Sequence, residues 1–189
     1  NPKINDASIN LNAYLNLIKS ENKGIQVPAS LSNYNILPSK SLYLDIDTNN
    51  PNLKKIIPQQ FLKYLVNRLI INLKDNKGGL EKKDLAILDF INSNNWERPI
   101  YFNNTSLNGT NLNFKRNVIQ EGLAYRLLPL VNPNTSKNFI NTNIMYDNMI
   151  NKFYWRELDN EKTYYSEDHR GFVLNYRATF NTLASELIK

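Results

Sequence analysis

The sequence predicts a soluble α/β domain built on a small mixed, mainly parallel sheet of about four strands, at 41–47, 69–73, 99–103 and 123–130. Helices near 80–93, 140–153 and 172–188 are expected to cover it. Three observations carry this reading. Short runs of alternating apolar residues, closed by turn residues, interleave with longer runs at helical spacing. The order strand, helix, strand around 80–93 is the pattern of a parallel crossover. A chain of 189 residues, 41% hydrophobic and 11% aromatic, can bury one core and is too apolar for a disordered segment.

Residues 1–36 read as an Asn/Ser-rich N-terminal arm, in which Ile9, Leu11, Leu15, Leu17 and Ile18 fall at imperfect helical spacing; residues 37–189 read as the α/β domain. Leu42, Leu44 and Ile46 alternate with polar neighbours until Asn49-Asn50-Pro51, which predicts a half-buried strand and a turn. Phe61, Leu62, Leu65 and Leu69 fit a helix, whereas Leu69-Ile70-Ile71-Asn72-Leu73 fits a strand, so this stretch is expected to start helical and finish extended. From Leu80 to Ser93, Leu85, Ile87, Leu88, Phe90 and Ile91 form a broad apolar face, with Glu81 and Asp84 at the positive end of the helix. Pro99 forces Arg98 toward extended geometry and opens the strand Ile100-Tyr101-Phe102. A short helix is expected over Leu112–Gly122, then a strand from Leu123 to Leu130. Two helices finish the chain, one carrying Ile144, Met145, Met149 and Phe153, the other Phe172, Tyr176, Phe180 and Leu183.

Composition narrows the function classes. The longest apolar runs, such as Leu65 to Ile71, contain Asn67 and Arg68 and fall short of the roughly 20 residues that span a bilayer. The start Asn1-Pro2-Lys3 has neither an initiating Met nor a leader pattern, so the chain reads as part of a longer parent. There is no cysteine, which removes disulfides and thiolate metal sites. The net charge of +6 is scattered, with no basic run longer than Lys54-Lys55 or Lys82-Lys83 and no interleaved aromatic stripe, so no nucleic-acid partner is expected.

Candidate sites are few. His169, the only histidine, lies in Ser166-Glu167-Asp168-His169-Arg170, without the spaced partner that general acid–base or zinc chemistry needs, and reads as a surface or helix-entry residue. Asp45 and Asp47, two apart on a strand, share a face and read as its solvated side rather than as a cation site. Gly78-Gly79 lacks the full pattern of a phosphate loop and reads as a turn. Four acceptor patterns for N-glycosylation, two overlapping in Asn103-Asn104-Thr105-Ser106 and one each in Asn108-Gly109-Thr110 and Asn134-Thr135-Ser136, are what chance supplies in so Asn-rich a chain. Asn94-Asn95-Trp96-Glu97-Arg98-Pro99-Ile100-Tyr101-Phe102 is the densest constellation: a rigid aromatic anchor beside two charges suits partner contact, although packing is the more ordinary reading of it.

That block, followed in order by Glu121-Gly122-Leu123-Ala124-Tyr125-Arg126-Leu127 and Met145-Tyr146-Asp147-Asn148-Met149-Ile150-Asn151-Lys152-Phe153, resembles the C-terminal soluble region of a Bacteroidetes multi-spanning membrane-protein family of unknown function, related to protein O-mannosyltransferase-like enzymes. The resemblance runs from about Leu37 to the end. Tyr154-Trp155-Arg156-Glu157-Leu158-Asp159 departs from it, as does the acidic turn before Arg170. It implies a periplasmic position at the inner membrane, attached to an upstream transmembrane region, with helical repeats possible downstream. No catalytic residue, metal or cofactor is assigned to this chain. The expected function is that of a non-catalytic accessory domain that positions an acceptor polypeptide or partner, with Trp96, Arg98, Tyr101, Tyr125 and Arg126 as contact residues. The alternatives are a sugar-donor-binding part of the glycosyltransferase site, built on Arg98, Arg126 or Arg170, and a structural spacer.

Overall fold

The computed structural model describes residues 7–20, 25–28, 33–35, 37, 39–74, 79–154 and 157–188. It contains two four-stranded sheets and a two-stranded ribbon rather than one mainly parallel sheet. The chain enters through β1 (Ile9–Asn10), α1 (Leu11–Lys19) and the antiparallel ribbon of β2 (Gln26–Pro28) and β3 (Asn33–Asn35). There follow β4 (Ser41–Asp45), α2 (Pro51–Ile56), a 3-10 turn (Gln59–Tyr64), β5 (Arg68–Leu73) and α3 (Lys82–Asn94). Next come β6 (Ile100–Asn103), α4 (Asn104–Gly109), β7 (Leu112–Asn113), β8 (Val118–Gln120), β9 (Ala124–Leu127) and β10 (Phe139–Ile140). The chain closes with α5 (Thr142–Tyr146), a π-helical turn (Asp147–Lys152) and α6 (Glu167–Leu187).

The first sheet has the order β1-β4-β5-β7 and the second β10-β8-β9-β6. Among the described residues only the two-residue edge pairs β1–β4 and β10–β8 are parallel; β4–β5, β5–β7, β6–β9 and β8–β9 run antiparallel. The expected strands therefore exist at nearly the expected positions, but the mainly parallel arrangement is overturned. α3 carries the chain from β5 in one sheet to β6 in the other, so strand, helix, strand here is a crossing between sheets and not a crossover within one. A bridge between Leu65 and Leu130 ties the regions together, with Val66 N–H donating to Pro129 O and Val131 N–H to Tyr64 O.

The helix expected over Leu112–Gly122 is also absent. Its place is taken by β7, a turn and β8, because the β-branched pair Val118-Ile119 is fully buried in a strand. Asn side chains also satisfy the backbone: Asn113 Oδ1 accepts locally from Lys115 N–H, and Asn117 Nδ2 donates to Leu130 O, 13 residues on. β8 turns into β9 at Gly122, whose φ of +112° is rarely adopted by L side chains.

One core runs through both sheets and includes Leu11, Leu42, Leu69, Ile71, Leu88, Phe114, Ile119 and Leu128. The segment expected as an arm contributes to it: Asn10 caps α1 by accepting from Ala13 N–H, and α1 buries Leu11, Tyr14 and Leu15. α3 is anchored by Asp84, fully buried, which accepts from Glu81 N–H, Thr110 Oγ1 and Asn111 N–H. α6 rests on a separate small cluster of Met145, Met149 and Leu183, bordered by Ile140, Phe153 and Phe180.

Candidate functional site

The densest motif in the sequence proves to be a helix exit. Asn95 and Trp96 both have positive φ, 48° and 61°, so the chain reverses immediately after α3. Asn94 clasps the reversal, its Oδ1 accepting from Arg98 N–H at 3.0 Å and its Nδ2 donating to Arg98 O at 3.1 Å. The reversal drives Trp96 into the core, where it is 6% exposed, and leaves the Arg98 side chain in solvent with no ion pair among the described residues. Trp96 is thus a packing residue, and the two side chains do not converge.

Tyr101 of β6 and Arg126 of β9 do come together, whereas Tyr125, opposite Phe102 in the register, takes no part in their hydrogen bonds. Tyr101 pairs with Arg126 across the antiparallel register, and Arg126 also stands opposite Ile119 of β8. Between them lies Glu121, a buried acid not among the expected site residues. Its Oε1 accepts from Arg126 Nη1 at 3.3 Å and Asn141 Nδ2 at 3.0 Å, and its Oε2 accepts from Tyr101 OH at 2.8 Å. Its carbonyl accepts from Asn148 Nδ2 at 2.8 Å. Arg126 Nη2 donates to Ile56 O at 2.6 Å, while its buried Nε has no partner. Burial first, and then the hydrogen bond to Glu121, push the Tyr101 hydroxyl up to about 12; burial raises Tyr125 as well.

This network is a clamp. Both carboxylate oxygens are occupied, and the groups around them are a phenol, amides and a guanidinium, with no nucleophile in the set. It fastens the β8–β9 turn to β6, α2, α5 and the π-turn, and so fixes the edge of the second sheet.

Beside that edge an open groove of about 540 Å³ runs between the second sheet and α6. Gln120, Leu123, Tyr125 and Ile140 form the sheet wall, and Asn104, Lys137 and Asn138 close its rim. The helix wall is a polar stripe at helical spacing: Asn175, Thr179, Thr182, Ser185 and Glu186, with Asn181 beside it. The stripe was visible in the sequence as small polar residues three and four apart. It was overshadowed by the apolar positions 176, 180 and 183 on the same helix. Of the expected contact residues only Tyr125 lines this groove. Arg98, Arg126 and Arg170 do not, so no convergent guanidinium cluster forms on it.

The remaining candidates are dispersed. Asp45 forms an exposed ion pair with Arg68, and Asp47 accepts from Asn49 N–H in a turn. His169 sits in the first turn of α6, exposed, with Nδ1 2.8 Å from Ser166 Oγ. Among the described residues no group of three or more His, Asp or Glu side chains is placed to hold a metal ion, and no helix is long and apolar enough to cross a membrane.

Fold and site together define a small two-sheet α+β domain with a polar groove beneath its last helix. The chain belongs to the family of the TMEM260-associated domain 2, whose profile matches residues 1–147, a domain of a membrane-protein family. The match covers both sheets and α5, while α6, the far wall of the groove, lies outside it. No curated protein and no solved structure matches the chain.

Proposed function

We propose that this chain is a non-catalytic, extracytoplasmic accessory domain of a membrane-embedded protein of the O-mannosyltransferase-like glycosyltransferase kind, and that it holds an acceptor polypeptide next to the membrane-embedded part. The observation that carries this reading is the open groove of about 540 Å³, with amides and hydroxyls along its helix wall, Leu123, Tyr125 and Ile140 on its sheet wall, and no nucleophile–base pair among its lining residues. Its volume falls within the roughly 300–1,000 Å³ of ordinary ligand sites. Asn, Ser and Thr side chains with a tyrosine are the adaptable hydrogen-bonding set that polypeptide-binding surfaces use. Membership of a membrane-protein domain family accords with a membrane-embedded partner, and the reading places the chain beside an upstream transmembrane region on the periplasmic face of the inner membrane.

The donor-site alternative is less well supported, because Arg126 is tied to Glu121 and Ile56 and none of Arg98, Arg126 and Arg170 reaches the groove. The test is a binding titration of the chain, by NMR, with an unfolded acceptor-like polypeptide and separately with a lipid-free sugar phosphate. Binding of the polypeptide supports acceptor positioning. Binding of the sugar phosphate alone, lost on Arg98→Ala or Arg126→Ala in a folded protein, would overturn it in favour of a donor site.

A further inference from the structure

Resting on the positioning role above, we infer that the groove between α6 and the second sheet takes an uncharged, extended polypeptide segment of about five residues, read through its backbone rather than through charged side chains. The first argument is hydrogen-bond polarity. Thr179, Thr182 and Ser185 each donate their hydroxyl hydrogen to the carbonyl four residues earlier, at 2.8, 2.9 and 2.8 Å. Their oxygens face the groove as acceptors only. Gln120, 5% exposed, donates its Nε2 to Gly122 O, and its Oε1 accepts no hydrogen bond among the described residues. Asn175 and Asn181 make no side-chain hydrogen bond there and offer both donors and acceptors. A ligand must therefore bring donors as well as acceptors. An ionised phosphate brings acceptors alone, whereas a peptide backbone brings N–H and C=O in alternation.

The second argument is length. Asn175 to Glu186 spans about 16 Å of helix at 1.5 Å per residue. A chain extended at about 3.3 Å per residue covers that distance with about five residues. The third is charge. Lys137 and Glu186 are the charged residues on the groove, one of each sign, so it offers no net field to attract an ionic segment. Tyr125, the aromatic ring on the sheet wall, is half-buried against the main core and is not a free platform for stacking a sugar ring.

The experiment uses the whole chain, isotope-labelled, and four probes: a short Ser/Thr/Ala peptide, the same peptide with Asp substitutions, the same peptide with Lys substitutions, and a neutral oligosaccharide of similar length. The neutral peptide is expected to bind with signals from the Gln120, Asn175 and Asn181 side-chain amides shifting, and to bind several-fold more tightly than either charged version. The exposed double variant Asn175→Ala/Asn181→Ala, with circular dichroism checking its fold, should weaken that binding about tenfold, the loss of about two hydrogen bonds. If all peptides bind equally, or bind with no change at those three residues, the inference fails and acceptor positioning survives. If the oligosaccharide alone binds, or no probe binds, both fail.

Discussion

The Tyr101 hydroxyl on β6 donates a 2.8 Å hydrogen bond to Oε2 of Glu121 at the β8–β9 turn, joining an edge strand to the hairpin that builds the groove floor. Burial, and then this bond, push the hydroxyl up to about 12, above the ordinary tyrosine value of ~10. A group whose folded-state value is raised contributes stability that is complete below the unfolded value and is lost as pH climbs to the folded one. The stability difference between wild type and Tyr101→Phe should accordingly be constant up to pH ~10 and shrink from there to about 12. Denaturant unfolding across that range checks it, and a difference that stays constant would contradict the shift. In parallel, the tyrosinate absorbance titration of Tyr101→Phe should lose one component near the alkaline end.

The pair beneath that tyrosine is asymmetric in what its loss exposes. Glu121 and Arg126 side chains are 2% and 11% exposed, so neither can fall back on water. Truncating one partner of a buried pair leaves a desolvated charge and costs about 3–5 kcal/mol, whereas removing both charges with side chains of similar volume is often nearly neutral. Glu121→Ala should fall in that range in urea unfolding, and Glu121→Leu/Arg126→Met should be less destabilised than Glu121→Ala. An additive double variant would show that the two charges do not act as a pair.

Trp96 and Arg98 stand two residues apart with opposite expected behaviour. Trp96→Ala empties a core position and should cost about 3–5 kcal/mol. Arg98→Ala removes an exposed side chain whose backbone is held independently by Asn94, and should stay within about 0.5 kcal/mol. Thermal or urea denaturation of the two variants separates a packing role from a contact role in the motif. A large effect at Arg98 would reveal a contact that its exposure does not suggest.

The residues of the strands were legible in the sequence, and their partners were not. Leu42, Leu69 and Ile71 alternate in sequence and are all fully buried. Yet nothing in that alternation says that β5 pairs backwards on β4 or that α3 then leaves the sheet. Pairing is decided by connections such as the Gly122 turn, a local backbone conformation that gave no pattern longer than one residue. The two parallel pairs are two residues long each, too short for any periodicity. The site followed the same rule. Tyr101 and Arg126 are 25 residues apart in sequence and the antiparallel register sets them opposite each other, while Tyr125 falls opposite Phe102. The role of Glu121 is not legible in its block, because a single acid in a turn is normally solvated, and its burial depends on Asn141 and Asn148, which arrive from 20 and 27 residues away.

α6 is the element whose attachment decides whether the groove exists. Of its 21 residues only Thr179 and Leu183 are buried, and it packs on Met145 and Met149 rather than on the main core. Leu183→Ala should remove about 2–5 kcal/mol from that contact. Since the small cluster is separate from the core of Leu69 and Ile71, the loss should appear as local opening rather than global unfolding. Hydrogen exchange is expected to show faster exchange along α6 with β4 and β5 amides unchanged, together with weaker peptide binding in the groove. Equal loss of protection in β5 would mean that α6 and the sheets unfold as one cooperative unit, and the groove would then be as permanent as the core itself.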